Sequence, residues 1–251
     1  MYKRQAGRHR CAGCAYDRGY KDGLRRKEKL NIDLKDVDFA VLSHAHYDHA
    51  NGMGKFFEIN EKAPFYLQEG CGENCYFKKG FVRKYIGIPK GITKRYQDRI
   101  KYVSGICPIA EGIYLVSHST PHLEQIGKKE MMYQKTKLGW KPDNFCHEQS
   151  LVLDTDSGLV IFNSCSHGGV VNIINEVKAA FPNKKITALI GGFHIFNHPE
   201  EEIRELAKLI KETGIERIYT GHCSKERGYR ILREELGDMA GQFYVGMELE
   251  F

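Results

Sequence analysis

From residue 38 onward the chain alternates short apolar, β-branched or aromatic runs with polar turns. DFAVLS (38–43), PFYLQ (64–68), IKYVSG (100–105), GIYLVSH (112–118), SLVLDT (150–155), GLVIFNSC (158–165), ITALIGGFH (186–194), IERIYTGHC (215–223) and QFYVGMELEF (242–251) read as strands. Asp156 and Ser157, with Gly158 following, separate two of these runs and predict a hairpin. Three later segments switch to a helical period. VNIINEVKAAF places Ile173, Ile174, Val177 and Phe181 on one face, and EEIRELAKLIKETG, between Pro199 and Gly214, aligns Ile203, Leu206 and Ile210; SKERGYRILREELG ends at Gly237. A hairpin-rich first half followed by strand–helix alternation predicts an α/β fold, sheets covered by helices. Residues 69–99 and 119–149 interrupt the pattern. They are too long for idle loops and read as a lid or a substrate-binding insertion.

Composition narrows this picture. With 251 residues, 41% hydrophobic and 28% charged, the chain has material for a sizeable core, and a single domain over 1–251 is the expectation. No apolar run approaches the ~18 residues that cross a bilayer, and MYKRQAGRHR lacks an apolar segment that would mark secretion, so the expected location is cytoplasmic, with no membrane partner. The eight cysteines then read as thiols or metal ligands rather than a disulfide framework. The pairs Cys11/Cys14 and Cys71/Cys75 have no zinc-ribbon context and read as ordinary thiols. A net charge of +6 suggests affinity for anions without singling out nucleic acid. The opening MYKRQ back-translates to the end of a transposase adapter used for sequencing libraries. Residues 1–16 are therefore expected to be non-native, with one or two N-terminal strands missing.

The chemistry gathers at strand ends. SHAHYDHANG (43–52) follows the FAVL run, His167 follows GLVIFNSC, His194 follows ALIGGF and His222 follows IYTG. In α/β sheets the strand ends of one edge converge on a ligand crevice, so these groups can share a pocket. In an extended segment His44 and His46 point to one side and can reach one cation, while Asp48 and His49 lie where the chain turns and can face a second. Imidazole and carboxylate suit zinc, iron or manganese, and two such ions ~3.5–4 Å apart can activate a water and clamp a phosphoryl or carbonyl oxygen.

HxHxDH is the hallmark of the metallo-β-lactamase-fold metallohydrolases, and the sequence resembles that superfamily. Within it, CSHGGVVNII (165–174), IGGFHI (190–195) and YTGHCS (219–224) resemble the subfamily of 7,8-dihydropterin-6-methyl-4-(β-D-ribofuranosyl)aminobenzene 5′-phosphate synthase and related hydrolases. The resemblance implies an αββα sandwich of two mixed sheets with helices outside. It implies one or two divalent transition-metal ions, zinc first, with iron or manganese as alternatives. His44, His46 and His167 would hold the first ion, and Asp48, His49 and His222 the second. Cys165 stands where the superfamily commonly has a bridging aspartate and is a candidate ligand, and DRG (17–19) stands where DTG is usual. His118 also ends a strand and is the alternative to His167. Asp48 can act as general base as well as ligand, and His194, after two glycines that let the backbone come close to a substrate, is read as a substrate or transition-state contact. His122, His147 and His198 read as loop residues.

KKGFVRKYIGIPKGITKRYQDRIK (78–101) carries nine Lys or Arg and one Asp, interleaved with Phe81, Tyr85 and Tyr96. Either it is a solvated basic face, or Lys79, Arg83, Lys84 and Tyr85 bind an anionic, planar substrate by charge and stacking. The leading functional reading is a hydrolase that uses metal-bound hydroxide on a small phosphate-bearing, pterin-like substrate. The alternatives are a pterin-linked transferase, a nuclease of the same fold, which the small charge excess disfavours, and a non-catalytic ligand sensor, which the complete HxHxDH disfavours.

Overall fold

The computed structural model describes residues 33–244 and 246–251, and the backbone alone of 2–5 and 8–11. Those first two segments, Tyr2–Gln5 and Arg8–Cys11, pair as antiparallel strands. Cys14 and the DRG of 17–19 lie outside the described residues, as does half of the stretch expected to be non-native. The chain divides into two compact units, residues 1–103 with 122–148, and 104–121 with 149–251.

In the first unit, Ala40–Val41, Phe65–Gln68 and Ile100–Val103 form a parallel three-stranded sheet in that order. The helix Met53–Ile59 buries Met53, Phe56 and Phe57 in a cluster with Leu42, Phe65 and Leu67. Each such side chain contributes roughly 1.5–3 kcal/mol of transfer free energy. The helix stops at Asn60, a buried hub. Its Nδ2 donates to the Leu34 and Val37 carbonyls, each at 2.8 Å, and its Oδ1 accepts the Ala63 N–H at 2.7 Å. That network ties the chain entering the sheet to the chain leaving the helix.

The long connections are not loops. Gly139–Pro142, Met132–Thr136, Cys75–Lys79 and Val82–Tyr85 build a second, four-stranded antiparallel sheet in that order. On one face Cys75, Met132 and Gln134 are buried. The other alternates aromatic and basic residues, and this mixed composition hides the strands from a reading that looks for apolar runs.

The second unit is a seven-stranded mixed sheet ordered Ala240–Gln242, Arg217–Thr220, Ile186–Gly191, Gly158–Asn163, Gln149–Thr155, Ile113–Ser117, Ile106–Ala110. The first four strands run parallel to their neighbours and the remaining pairings are antiparallel. Ile186–Gly191 is buried at every position, as a parallel strand covered on both faces must be. The helices Val170–Ala180, Glu200–Glu212 and Lys225–Leu236 pack their apolar stripes on the sheet, with Ile173, Ile174, Val177, Ile203, Ile210, Ile231 and Leu232 in one core. The strand expected over 242–251 is a correction: only Ala240–Gln242 pairs. Gly246 has φ +88°, and Phe243, Met247, Leu249 and Phe251 pack on Val160, Ala188, Ile190 and Tyr219 without joining the sheet. Ile106–Ala110 escapes the sequence reading because Pro108 interrupts it, which an edge strand tolerates.

Candidate metal centre

HxHxDH leaves the strand Ala40–Val41 and turns into the short helix Tyr47–Ala50. His44 and His46 are buried. Their ring centroids are 4.7 Å apart, those of His44 and His49 are 4.3 Å apart, and His49 Nε2 lies 3.4 Å from Asp48 Oδ2. The three imidazoles and the carboxylate thus converge within one unit. Burial, reinforced by His147, holds His46 down at about 3 against the opposing pull of Asp143 and Asp48. The ring is therefore neutral at physiological pH, the state in which imidazole binds a cation.

Behind this loop lies a group the sequence reading passes over. His147, read as a loop residue, is fully buried. The Ala45 N–H, between His44 and His46, donates to His147 Nδ1 at 3.2 Å, and His147 Nε2 is 3.1 Å from Asp143 Oδ2. Asp143 also accepts from Gln134 Nε2 and the Phe145 N–H, both at 2.8 Å. Burial pushes the Asp143 carboxyl up, but His147, His46 and the Phe145 N–H outweigh it and hold the group at about 2. Burial disfavours the charged His147 ring and the Ala45 N–H occupies its Nδ1 lone pair, while Asp143 and Cys75 draw the ring toward protonation. The donor atoms of His46, Cys75, Asp143 and His147 lie within 4.8 Å of one another. Because both His147 nitrogens already carry hydrogen bonds, the Asp143–His147 pair acts as a brace for the ligand loop. The available sequence signal was the four-residue Asp143-to-His147 spacing just ahead of the buried strand Gln149–Thr155.

In the second unit three non-glycine residues past the ends of adjacent parallel strands sit in the left-handed region: Ser166 (φ +50°), His194 (φ +52°) and His222 (φ +49°). Each costs about 1–2 kcal/mol, and side-chain hydrogen bonds hold the turns in place. Asn163 Oδ1 accepts the Ser166 N–H at 2.8 Å, and Ser224 Oγ accepts the Phe193 N–H at 2.9 Å while lying 2.6 Å from Thr220 Oγ1. The His167 and His194 ring centroids are brought to 4.3 Å. Cys165 and Cys223 are buried beside them. Burial pushes the Cys223 thiol up, but hydrogen bonding to Cys165 and His194 brings it well below its ordinary value. The glycines before His194 have a local packing role. A Cβ on Gly191 would stand 1.6 Å from the Asn163 carbonyl oxygen, and one on Gly192 would stand 2.5 Å from Cys223 Sγ. They clear space for the protein's own strand end and thiol.

His118 Nδ1 is 2.6 Å from Glu176 Oε2, and Glu176 also accepts the Thr120 and Ser119 N–H groups at 2.8 and 2.9 Å. The carboxylate orients the ring toward Gly168, where a Cβ would come within 2.6 Å of His118 Nε2. A histidine steered by a carboxylate is a common form of metal ligand, so His118 stands beside His167 as a candidate. His122 lies 3.5 Å from Glu124, and His198 lies 3.1 Å from Glu202.

Strand alternation splits Lys79, Arg83, Lys84 and Tyr85 between two faces. Arg83 and Tyr85 share the outer face of the four-stranded sheet with Tyr76, Lys78, Tyr133 and Trp140, while Lys79 and Lys84 project from the opposite side with Phe77. The Arg83 guanidinium sits 4.5 Å from the Trp140 ring centroid and Lys90 Nζ 5.0 Å from that of Tyr85. The Tyr85 hydroxyl donates to the Ile88 carbonyl, and burial pushes its pKa up. Cys71 and Cys75 are free thiols, and burial pushes Cys71 up to about 12.

Among the described residues no helix is long and apolar enough to cross a membrane. Residues 13–129 match the family described as the metallo-beta-lactamase superfamily. The chain is similar to 7,8-dihydropterin-6-methyl-4-(beta-D-ribofuranosyl)-aminobenzene-5′-phosphate synthase of Methanocaldococcus jannaschii, 27% identical over 88% of this chain and 78% of the relative. A second, uncharacterized protein of the same organism is 23% identical over 83% of this chain and 76% of its own length. Among solved structures, Tm1679, a metal-dependent hydrolase of the beta-lactamase superfamily, superposes with a TM-score of 0.75 at 27% identity, over 91% of this chain and 84% of that one. With its mixed sheets and covering helices, this chain has the metallo-β-lactamase fold, carries a match to that superfamily over residues 13–129, and resembles the dihydropterin-linked phosphate synthase.

Proposed function

We propose that the protein is a metal-dependent hydrolase acting on a small phosphate-bearing molecule of the pterin-containing class named for the M. jannaschii relative. The observation that carries the reading is the convergence of His44, His46, His49 and Asp48 around a buried, neutral imidazole. This donor set fits zinc, iron or manganese. In the first unit His44, His46, Asp48 and His49 are the metal-holding residues, and the superfamily pattern would add His167, with His118 as its alternative, for one ion and His222 for a second. When bound, the ions supply an acidified water and polarise the bond under attack. Asp48 is assigned a second task, taking the proton of the attacking water on a carboxylate oxygen. Arg83 and the aromatic face around Tyr85 and Trp140 bind the planar, anionic part of the substrate. An ion pair and a stacking contact far from the cleaved bond add affinity equally to substrate and transition state, so their signature is in KM.

A pterin-linked transferase is the second reading, favoured by the word synthase in the relative's name. One experiment separates the two. Metal-loaded protein is given phosphomonoester, phosphodiester, lactone and thioester substrates, and then a dihydropterin with a phosphoribosyl donor. Hydrolysis in the first panel that disappears on chelation supports the hydrolase; condensation in the second, without hydrolysis, replaces it with the transferase.

A further inference from the structure

Two thiols and an imidazole converge past the ends of three neighbouring parallel strands of the second unit. The donor atoms of Cys165, His194 and Cys223 all lie within 4.8 Å of one another, and both sulfurs belong to buried residues, Cys165 at 2% exposure and Cys223 at 8%. Cys223 is placed by its surroundings. Gly192 has no Cβ to occupy the position of its sulfur, and the His194 N–H donates to that sulfur at 3.1 Å. An N–H given to one lone pair fixes the direction of the others. On either side, Ser224 is held by Phe193 and Thr220, and Ser166 by Asn163.

Buried cysteines acting as small hydrophobes would need none of this. An apolar pocket does not require a backbone N–H aimed at sulfur, nor left-handed φ values at Ser166, His194 and His222 on the three loops that supply the donors. An ion bound at about 2.3 Å to sulfur and about 2.0–2.1 Å to nitrogen spaces its ligands roughly 3.3–3.8 Å apart. A small inward movement of the three side chains would reach that spacing.

We propose that Cys165, Cys223 and His194 form a metal site of two thiolates and one imidazole, selective for zinc or another thiophilic divalent ion. It lies wholly within the second unit, and His46 is not one of its ligands. His194, read from sequence as a substrate contact, is a ligand in this assignment. Each thiol gives up its proton to solvent on binding, so the two thiolates balance the charge of the ion and leave it a weak Lewis acid. Its role is to lock together the loops that carry His167, His194 and His222.

Cobalt(II) reports the site directly. Protein stripped with chelator and reloaded with cobalt should show sulfur-to-cobalt charge-transfer absorption in the near ultraviolet. The band should persist in His46→Ala, and lose about half its intensity or more in Cys165→Ala and in Cys223→Ala. Zinc affinity at this site should fall at least ~10-fold in either cysteine variant. Cobalt-loaded wild-type protein with imidazole-type visible absorption but no charge-transfer band would overturn the site and leave the hydrolase reading standing, with no variant needing to fold. A band that survives Cys223→Ala unchanged would overturn it as well. A sulfur band in protein that hydrolyses nothing would support the site and remove the hydrolase.

Discussion

Replacing His147 with alanine tests whether the Asp143–His147 pair braces the HxHxDH loop. The substitution leaves the Ala45 N–H without its acceptor, which costs about 1–3 kcal/mol when the group stays buried. It also takes one of the donors from a carboxylate that is completely buried, and breaking a buried pair of this kind typically costs about 3–5 kcal/mol in all. At roughly 2–4 °C per kcal/mol for a chain of this size, Tm should fall by roughly 6–20 °C. Urea unfolding should show the same loss as a lower midpoint with an unchanged slope. Zinc affinity should drop about 10–100-fold as the loop loses its anchor, although His147 is not a ligand. Acid unfolding supplies a third readout. Asp143 is held at about 2 against an ordinary 3.8, a depressed value that contributes about 2–3 kcal/mol at ~1.4 kcal/mol per unit. The sign follows from linkage: that stability is fully present above pH ~4 and is lost as pH falls through about 2. His147→Ala should therefore flatten the acid limb between those values. A stability loss below about 1 kcal/mol, together with unchanged zinc affinity, would show that the pair does not hold the loop.

His46→Ala should lower metal content and abolish turnover together, and full activity in chelated, metal-free wild-type protein would remove the metal centre from the reaction. Arg83→Ala should raise KM for an anionic, planar substrate about tenfold with little change in kcat, while Lys79→Ala/Lys84→Ala, on the other side of the sheet, should change KM less than twofold; equal effects would mean that charge alone matters and the face does not. Gly192→Ala should cost about 1–3 kcal/mol in thermal unfolding by pushing a Cβ onto Cys223 Sγ, and a stability equal to wild type would show that the thiol moves aside freely.

The second unit was legible because its strands obey the rule for buried parallel sheets. ITALIG is apolar almost throughout, and the helix following each central strand has a clear apolar stripe. The four-stranded sheet was not, because CYFKK buries only Cys75, VRKY is exposed up to a half-buried Tyr85, and both are rich in tyrosine, lysine and arginine, giving a pattern too short and too polar to separate from a basic loop. The same limit applies to QFYVGMELEF: alternate apolar residues do bury, but against a sheet face rather than in a ladder. At the candidate centre, HxHxDH was visible as a dense local motif. His147 was not, since its importance depends on Ala45, 102 positions away. Cys223 was hidden by the neighbouring His222, and the clearance at Gly192 and the His194 N–H that position its sulfur are visible only in three dimensions.

The left-handed backbone at Ser166, His194 and His222 limits which side chains these loops can ever present. Glycine enters that region freely and asparagine, aspartate and histidine more readily than other residues, whereas β-branched and bulky residues do so only with greater strain. Evolution or design can therefore exchange imidazole for carboxylate or carboxamide here within one or two substitutions, moving the pocket from a borderline toward a harder cation. Threonine, valine and isoleucine are closed routes, whatever their fit to the cavity. The backbone has in effect fixed the alphabet from which the scaffold's metal preferences can be written.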